Sequence, residues 1–140
     1  MTRTLPTRVL VIDNDNATTE MFKLILEPNE FEVHVVNSGP EGIERTRGFN
    51  PDVVVLDLLM PDMNGSEVCK EIRSFSQVPI LVLSAVSKPG MVAQALDEGA
   101  DDYLLKPITS SVLIARLKRL VWRARAEQAA NGKNIKYCQA

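Results

Sequence analysis

The chain has 140 residues, enough for one domain and little more. Its 16 Lys and Arg against 18 Asp and Glu leave a net charge of −2, so the whole-chain balance gives no reason to expect nucleic-acid binding. With 45% apolar and 24% charged residues it is no disordered chain, and at this length it needs neither a disulfide nor a structural metal to fold.

Five short apolar runs recur along the chain, at residues 9–12, 31–36, 53–56, 80–83 and 103–105. The first, third and fourth are nearly unbroken Val, Ile and Leu, which suits parallel strands covered on both faces. The second alternates (Phe31, Val33 and Val35 against Glu32 and His34), as an edge strand with one wetter face would, and His34 reads as a surface residue. The segments between are helical. Met21, Leu24 and Ile25 mark a first helix that starts near Thr18 or Thr19 and ends at Pro28. Residues 38–49 make a weaker second helix, because Gly39, Pro40 and Gly42 lower its propensity. Residues 66–75 carry Val68, Ile72 and Phe75 at helical spacing, and 91–96 form a short fourth helix ending at Gly99. The last helix is long, capped by Ser110 or Ser111 and continuing to about Ala130, with Asn131-Gly132 as the late break.

Strand and helix alternate five times, so the fold class is α/β: a (βα)₅ doubly wound three-layer sandwich. No repeat or low-complexity linker interrupts it. Cys69 and Cys138 are far apart and form no metal-ligand spacing; Cys69 falls within a helix and reads as inert. The polar first eight residues do not resemble a secretory signal, and the apolar runs are far too short for a membrane span. A soluble, cytoplasmic protein with no membrane partner is expected.

In open α/β sheets, ligands bind outside the carboxyl ends of the strands, where strand order reverses. Here the first strand ends in Asp13-Asn14-Asp15, the third in Asp57, the fourth in Ser84 and the fifth in Lys106-Pro107. Any one of these could be a turn or cap residue. Together they place carboxylates, a hydroxyl and an ammonium on one rim. Clustered, partly desolvated carboxylates repel, and Mg²⁺, which prefers oxygen ligands, relieves this. A lysine opposite them fits a phosphoryl oxygen as a point charge. Phosphoryl transfer needs mainly positioning and charge neutralisation, and Asp57 is the candidate nucleophile.

Four motifs then carry a resemblance: Val9-Leu-Val-Ile-Asp13, Val53-Val-Val-Leu-Asp57-Leu-Leu-Met-Pro-Asp-Met-Asn-Gly65, Leu81-Val-Leu-Ser84-Ala85 and Gly99-Ala-Asp-Asp-Tyr-Leu-Leu-Lys106-Pro107. In order and spacing, from about Arg8 to Leu120, the chain resembles the receiver domain of bacterial two-component response regulators. The resemblance implies a flavodoxin-like sheet of order 2-1-3-4-5, with residues 1–125 as the receiver and 126–140 as a helical extension or linker tail. It implies that Asp57 accepts phosphate from a histidine kinase or phosphotransfer protein, and that the chain catalyses only its own phosphorylation and dephosphorylation. Asp13, Asp57 and the backbone carbonyl of Leu59 would hold Mg²⁺. Lys106 would contact the phosphoryl group, Ser84 would hydrogen-bond it, and Tyr103 would swing inward as it does so. Gly65 would close the loop after the phosphoacceptor strand, and Pro107 would follow a cis peptide bond.

One position departs from the family. A second acidic residue usually follows the first, and here it is Asn14, which brings no charge and predicts weakened metal binding; Asp15 is a substitute aimed differently. Leu59 and Val86 are apolar where the family's attacking water passes, which predicts a long-lived phosphoryl group. Met60 and Met63 read as packing residues and Asp101-Asp102 as a loop end, while Trp122 is either a core edge or an exposed interface residue. Two other functions are weighed. Asp13-Asn14-Asp15 also resembles the start of haloacid-dehalogenase-type phosphatases, with Asp13 as nucleophile, but that leaves Asp57 unexplained. A degenerate receiver acting by protein contact without phosphorylation is the other, motivated by Asn14.

The switch would be felt in the fourth helix, fifth strand and fifth helix, a face the family uses for homodimerisation or release of an output domain. No output domain is visible after about Ala130, and the long last helix favours a fragment cut past a linker over a stand-alone receiver. The charge is also divided. Residues 1–112 hold 9 basic and 17 acidic residues, while 113–140 hold 7 basic and 1 acidic, so an acidic body carries a basic last helix. That helix, with Arg116, Lys118, Arg119, Arg123 and Arg125, is a solvated face, a dimer contact or a linker.

Overall fold

The computed structural model describes residues 5–85 and 88–139, with side chains described as far as Ala130. Five parallel strands, β1 (Thr7–Ile12), β2 (Phe31–Val36), β3 (Val53–Asp57), β4 (Ile80–Ser84) and β5 (Asp102–Leu105), form one sheet in the order β2-β1-β3-β4-β5. The helices between and after them are α1 (Asn16–Leu26), α2 (Gly39–Phe49), α3 (Gly65–Arg73), α4 (Pro89–Asp97) and α5 (Ser110–Gln139). No helix among the described residues is long and apolar enough to cross a membrane.

The continuous apolar runs are explained by the two layers they serve. Successive strand residues point to opposite faces. Val9, Val11, Val53, Val55, Leu81 and Leu83 therefore pack with Phe22 and Leu26 of α1 and Leu113 and Leu117 of α5. Their neighbours Leu10, Ile12, Val54, Leu56, Ile80 and Val82 pack on the other side with Val68 and Ile72 of α3 and Ala95 of α4. Each fully buried Leu or Val contributes about 1.5–3 kcal/mol of transfer free energy, so both layers hold the sheet.

Helix starts differ from the sequence expectation where a stronger cap lies upstream. Helix α1 begins at Asn16 because the Asp15 carboxylate accepts the Ala17 N–H at 3.1 Å and the Thr18 hydroxyl at 2.7 Å. Thr18 therefore serves the cap instead of being it. In α2 the Ser38 hydroxyl accepts the Glu41 N–H, and Pro40 falls in the first turn, where its missing N–H costs nothing. Gly42 of α2 is demanded by packing, since a Cβ there would come within 2.4 Å of the Ile12 side chain. Helix α3 starts at Gly65, capped by Asn64. In α5 the cap position falls to Thr109, whose carbonyl accepts the Leu113 N–H; Ser110 and Ser111 lie within the first turn. The Asn131-Gly132 pair does not end α5, which runs to Gln139; a glycine costs only about 1 kcal/mol in a helix.

Two surface expectations also change. His34 is half-buried: its ring lies 3.8 Å from that of Phe49, and Nε2 is 2.9 Å from Glu32. Edge strand β2 thus covers its wetter face with a stack, completed by the Arg8 guanidinium 3.8 Å from the Phe49 ring. Trp122 is 78% exposed, which removes the core-edge alternative. Cys69 lies within α3 as expected; it is buried, and burial pushes its thiol up to about 12.

Candidate functional site

The chain leaves β1 toward β2 on one side and returns to β3 on the other, so β1 and β3 flank the switch point of the sheet. Their register pairs Ile12 with Leu56, so Asp13 and Asp57 emerge side by side from adjacent strands. Both are buried, Asp13 to 1% exposure and Asp57 to 9%. Lys106 reaches the pair from the end of β5, with Nζ 3.5 Å from Asp13 Oδ2 and 3.7 Å from Asp57 Oδ2. Its backbone N–H donates to the Ser84 carbonyl at 2.9 Å, tying the lysine to the end of β4, and its bond to Pro107 is cis.

Asp13 is held at every polar atom. Its N–H donates to the Val36 carbonyl at 3.1 Å, and its own carbonyl accepts from Asn37 Nδ2 at 2.9 Å. Oδ1 accepts the Asp15 N–H at 2.9 Å, and Oδ2 faces Lys106. Asp57 is held more loosely, with Oδ1 accepting the Leu59 N–H at 3.2 Å. Burial raises its carboxyl above the ordinary aspartate range; Lys106 opposes that rise, and the neighbouring Asp13 charge adds to it. One ammonium for two buried carboxylates leaves this rim short of positive charge.

Ser84 is buried at the end of β4, one strand over from Asp57. Asn14 is exposed in the turn after Asp13. Asp15 caps α1, and its hydrogen bonds with Thr18 and Ala17 hold its carboxyl below the ordinary range. Tyr103 lies 41% exposed on β5, beside Leu105 in an apolar groove completed by Pro89, Val92, Ala93 and Leu96 of α4. Its side chain is in the outward position. Met60 and Met63 pack in and against the core as expected, and Val86 lies outside the described residues.

Among the described residues no three His, Cys, Asp or Glu converge as a metal group. The oxygen donors that do converge are the carboxylates of Asp13 and Asp57, both facing Lys106. That set suits Mg²⁺, which takes one or two carboxylates and completes its shell with water and phosphate oxygens. Asp101 and Asp102 do more than end a loop. Asp101 accepts from Ile80 N–H and Arg73, each at 2.8 Å, and Asp102 pairs with Arg116 of α5 at 2.7 Å. Asn37, Asp62 and Arg73 were not singled out from the sequence. Asn37 is the polar residue that follows the second strand, and the structure ties it to Asp13.

A doubly wound sheet thus carries two buried acids at its switch point and a lysine across from them. Residues 9–118 match the model of the response regulator receiver domain, so the chain belongs to that family. It is 37% identical over 126 residues to the DNA-binding response regulator MtrA of Mycolicibacterium smegmatis, covering 90% of this chain and 55% of that protein. It is also 37% identical over 131 residues to the response regulator MprA of Mycobacterium bovis, covering 93% and 57%. The chain thus spans a little over half the length of these curated relatives. Among solved structures, the receiver domain of Francisella response regulator 1452 superposes with a TM-score of 0.78 at 32% identity, over 84% of this chain and 98% of that one. The CheY-like receiver of Methanospirillum hungatei shares the fold, with a TM-score of 0.84 at 24% identity. Membership in this family leaves the haloacid-dehalogenase reading without support.

Proposed function

We propose that Asp57 is the phosphoacceptor of this receiver, charged by the phosphohistidine of a sensor kinase or phosphotransfer protein in the cytoplasm. One observation carries the reading: two buried carboxylates on adjacent strand ends share the single Lys106 ammonium. An Asp57 carboxylate oxygen attacks phosphorus, the P–N bond breaks, and the imidazole leaves with its electron pair. Asp13, Asp57 and the Leu59 carbonyl would hold Mg²⁺, with Asn14 as the weakened position; the ion supplies charge neutralisation to the phosphoryl oxygens. Lys106 faces the same oxygens, and Ser84 offers a hydroxyl to one of them. Leu59, 45% exposed beside the site, brings no group to orient a hydrolytic water, which favours a slow loss of phosphate.

The output reading follows from β5. Ser84 and Tyr103 sit on neighbouring strands, and the Tyr103 groove opens on the face formed by α4, β5 and α5. That face carries exposed Leu96, Leu105 and Val112 with Arg116 and Asp102 beside them, an apolar patch with both charges that suits a homodimer. Phosphate need favour the active arrangement by only a few kcal/mol. A DNA-binding output, as in the MtrA relatives' name, would lie outside this segment.

Incubation with acetyl phosphate and Mg²⁺ tests the reading. A mass increase of one phosphoryl group, mapped to Asp57 and absent when a chelator is present from the start, is expected, with dimerisation followed by light scattering. Ser84→Ala or Tyr103→Ala should keep the label and lose the dimer. No label on the wild-type chain would leave a receiver that works by contact alone, as Asn14 suggests.

A further inference from the structure

The β2–α2 connection touches both loops that meet at the rim. Asn37 spends both of its Nδ2 hydrogens on the β1–α1 turn, one on the Asp13 carbonyl at 2.9 Å and one on Asn16 Oδ1 at 3.1 Å. It thereby ties the last residue of the strand's exit to the first residue of the helix, and Asn14 lies inside the span it brackets. Two residues on, the Gly39 N–H donates to Asp62 Oδ2 at 3.1 Å, at the tip of the loop after β3. Gly39 opens α2, where free N–H groups favour an acidic partner. The contact is close: a Cβ on Gly39 would sit 2.9 Å from Met63 Cβ. The 58–64 loop is closed at its other end by the Gly65 N–H on the Leu58 carbonyl at 3.1 Å.

We propose that residues 37–39 are a clamp that sets the spacing of the two cation-bearing loops, with Asn37 and Asp62 as its positioning residues. The proposal rests on the reading of the rim as a Mg²⁺ and phosphoryl site. Neither residue touches the reacting atoms. Asn37 fixes where Asp13 and Asn14 present their oxygens, and Asp62 fixes where the Leu59 backbone lies. The clamp matters more here than it would beside a second acid, because Asn14 holds a cation by placement and not by charge. Outer residues that orient metal ligands are worth about 10- to 100-fold in affinity.

The test measures Mg²⁺ affinity of the whole chain by amide NMR titration, with melting temperature and metal-free amide exchange alongside. Asn37→Ala and Asp62→Ala should each weaken Mg²⁺ binding by about 10-fold, while melting stays within a few degrees of wild type. Asp62→Asn keeps an acceptor for the Gly39 N–H and should bind within about twofold of wild type. Without metal, exchange at Asp15, whose N–H sits on Asp13 Oδ1, should quicken in Asn37→Ala. Unchanged affinity in both alanine variants, or melting loss without affinity loss, overturns the clamp. So does an Asp62→Asn chain as weak as Asp62→Ala, which would make Asp62 a charge and not a strut. A wild-type chain that binds no Mg²⁺ overturns the clamp together with the reading beneath it.

Discussion

The two edges of the sheet use the same residue types to opposite ends. At the amino-terminal edge, Asp52 and Asp101 each lie just before a strand, and each accepts the N–H of a residue in the neighbouring strand, from Arg8 and Ile80, at 2.8 Å. Arginine backs both: Arg125 lies 3.8 Å from Asp52, and Arg73 is 2.8 Å from Asp101. Arg73 also donates to the carbonyls of Gly99, Ser76 and Val78. At the carboxyl edge, Asp13 and Asp57 share one lysine at longer range. One edge gives each carboxylate its own arginine; the other leaves two carboxylates to one lysine. Here an Asp that opens a strand accepts a backbone N–H of the neighbouring strand, and the Asp residues that follow or close a strand face Lys106.

Asp57→Asn sharpens that contrast most. Phosphoryl labelling should vanish altogether, while the variant, measured in chelator, melts a few degrees above wild type at pH 7. The sign follows from burial. The folded carboxyl is raised above its ordinary 3.8, so its contribution to stability is intact below that value and falls as pH rises through the folded one. The advantage of the variant should therefore shrink as pH drops into the ordinary carboxylate range. An Asp57→Asn chain less stable than wild type at pH 7 would break the comparison.

At the opposite edge, Arg73→Ala should lower unfolding free energy by about 3 kcal/mol in denaturant titration, by stranding carbonyls and the Asp101 carboxylate. Its labelling rate should stay near wild type while it is folded. Gly99→Ala should cost about 2 kcal/mol, since Gly99 has φ 117° and a Cβ there would come within 2.6 Å of Arg73 Cγ. Trp122→Ala, on the exposed side of α5, should shift stability by no more than about 0.5 kcal/mol. A larger change would mean that the tryptophan packs against something in solution, which analytical ultracentrifugation would detect.

The sheet was legible because its signals are local. Runs of Val, Ile and Leu, and the polar residue closing each, lie next to one another in the chain. The family motifs then assigned roles to Asp57, Lys106 and Ser84. What stayed hidden is long-range or competitive. Asn37 meets Asp13 across 24 residues and Arg73 meets Asp101 across 28, distances that no periodicity encodes. The start of α1 is ambiguous in the sequence because Asp15 and Thr18 are both cap-forming types, and only the hydrogen bonds show that Asp15 caps the helix with Thr18 donating to it. His34 follows the alternation of its strand, yet Phe49 covers it from α2.

The loop after β3 is pinned at its root, where Gly65 approaches Leu58 so closely that a Cβ would lie 2.8 Å from the Leu58 Cα. Its two ends therefore stay together whatever the residues between them do. Adding length near Pro61 would meet only the slow entropic cost of a larger ring, about 0.6 kcal/mol per doubling, and would leave the exit of β3 where it is. Such a hairpin-like neck separates the geometry of the strand that bears Asp57 from the length of the loop beyond it.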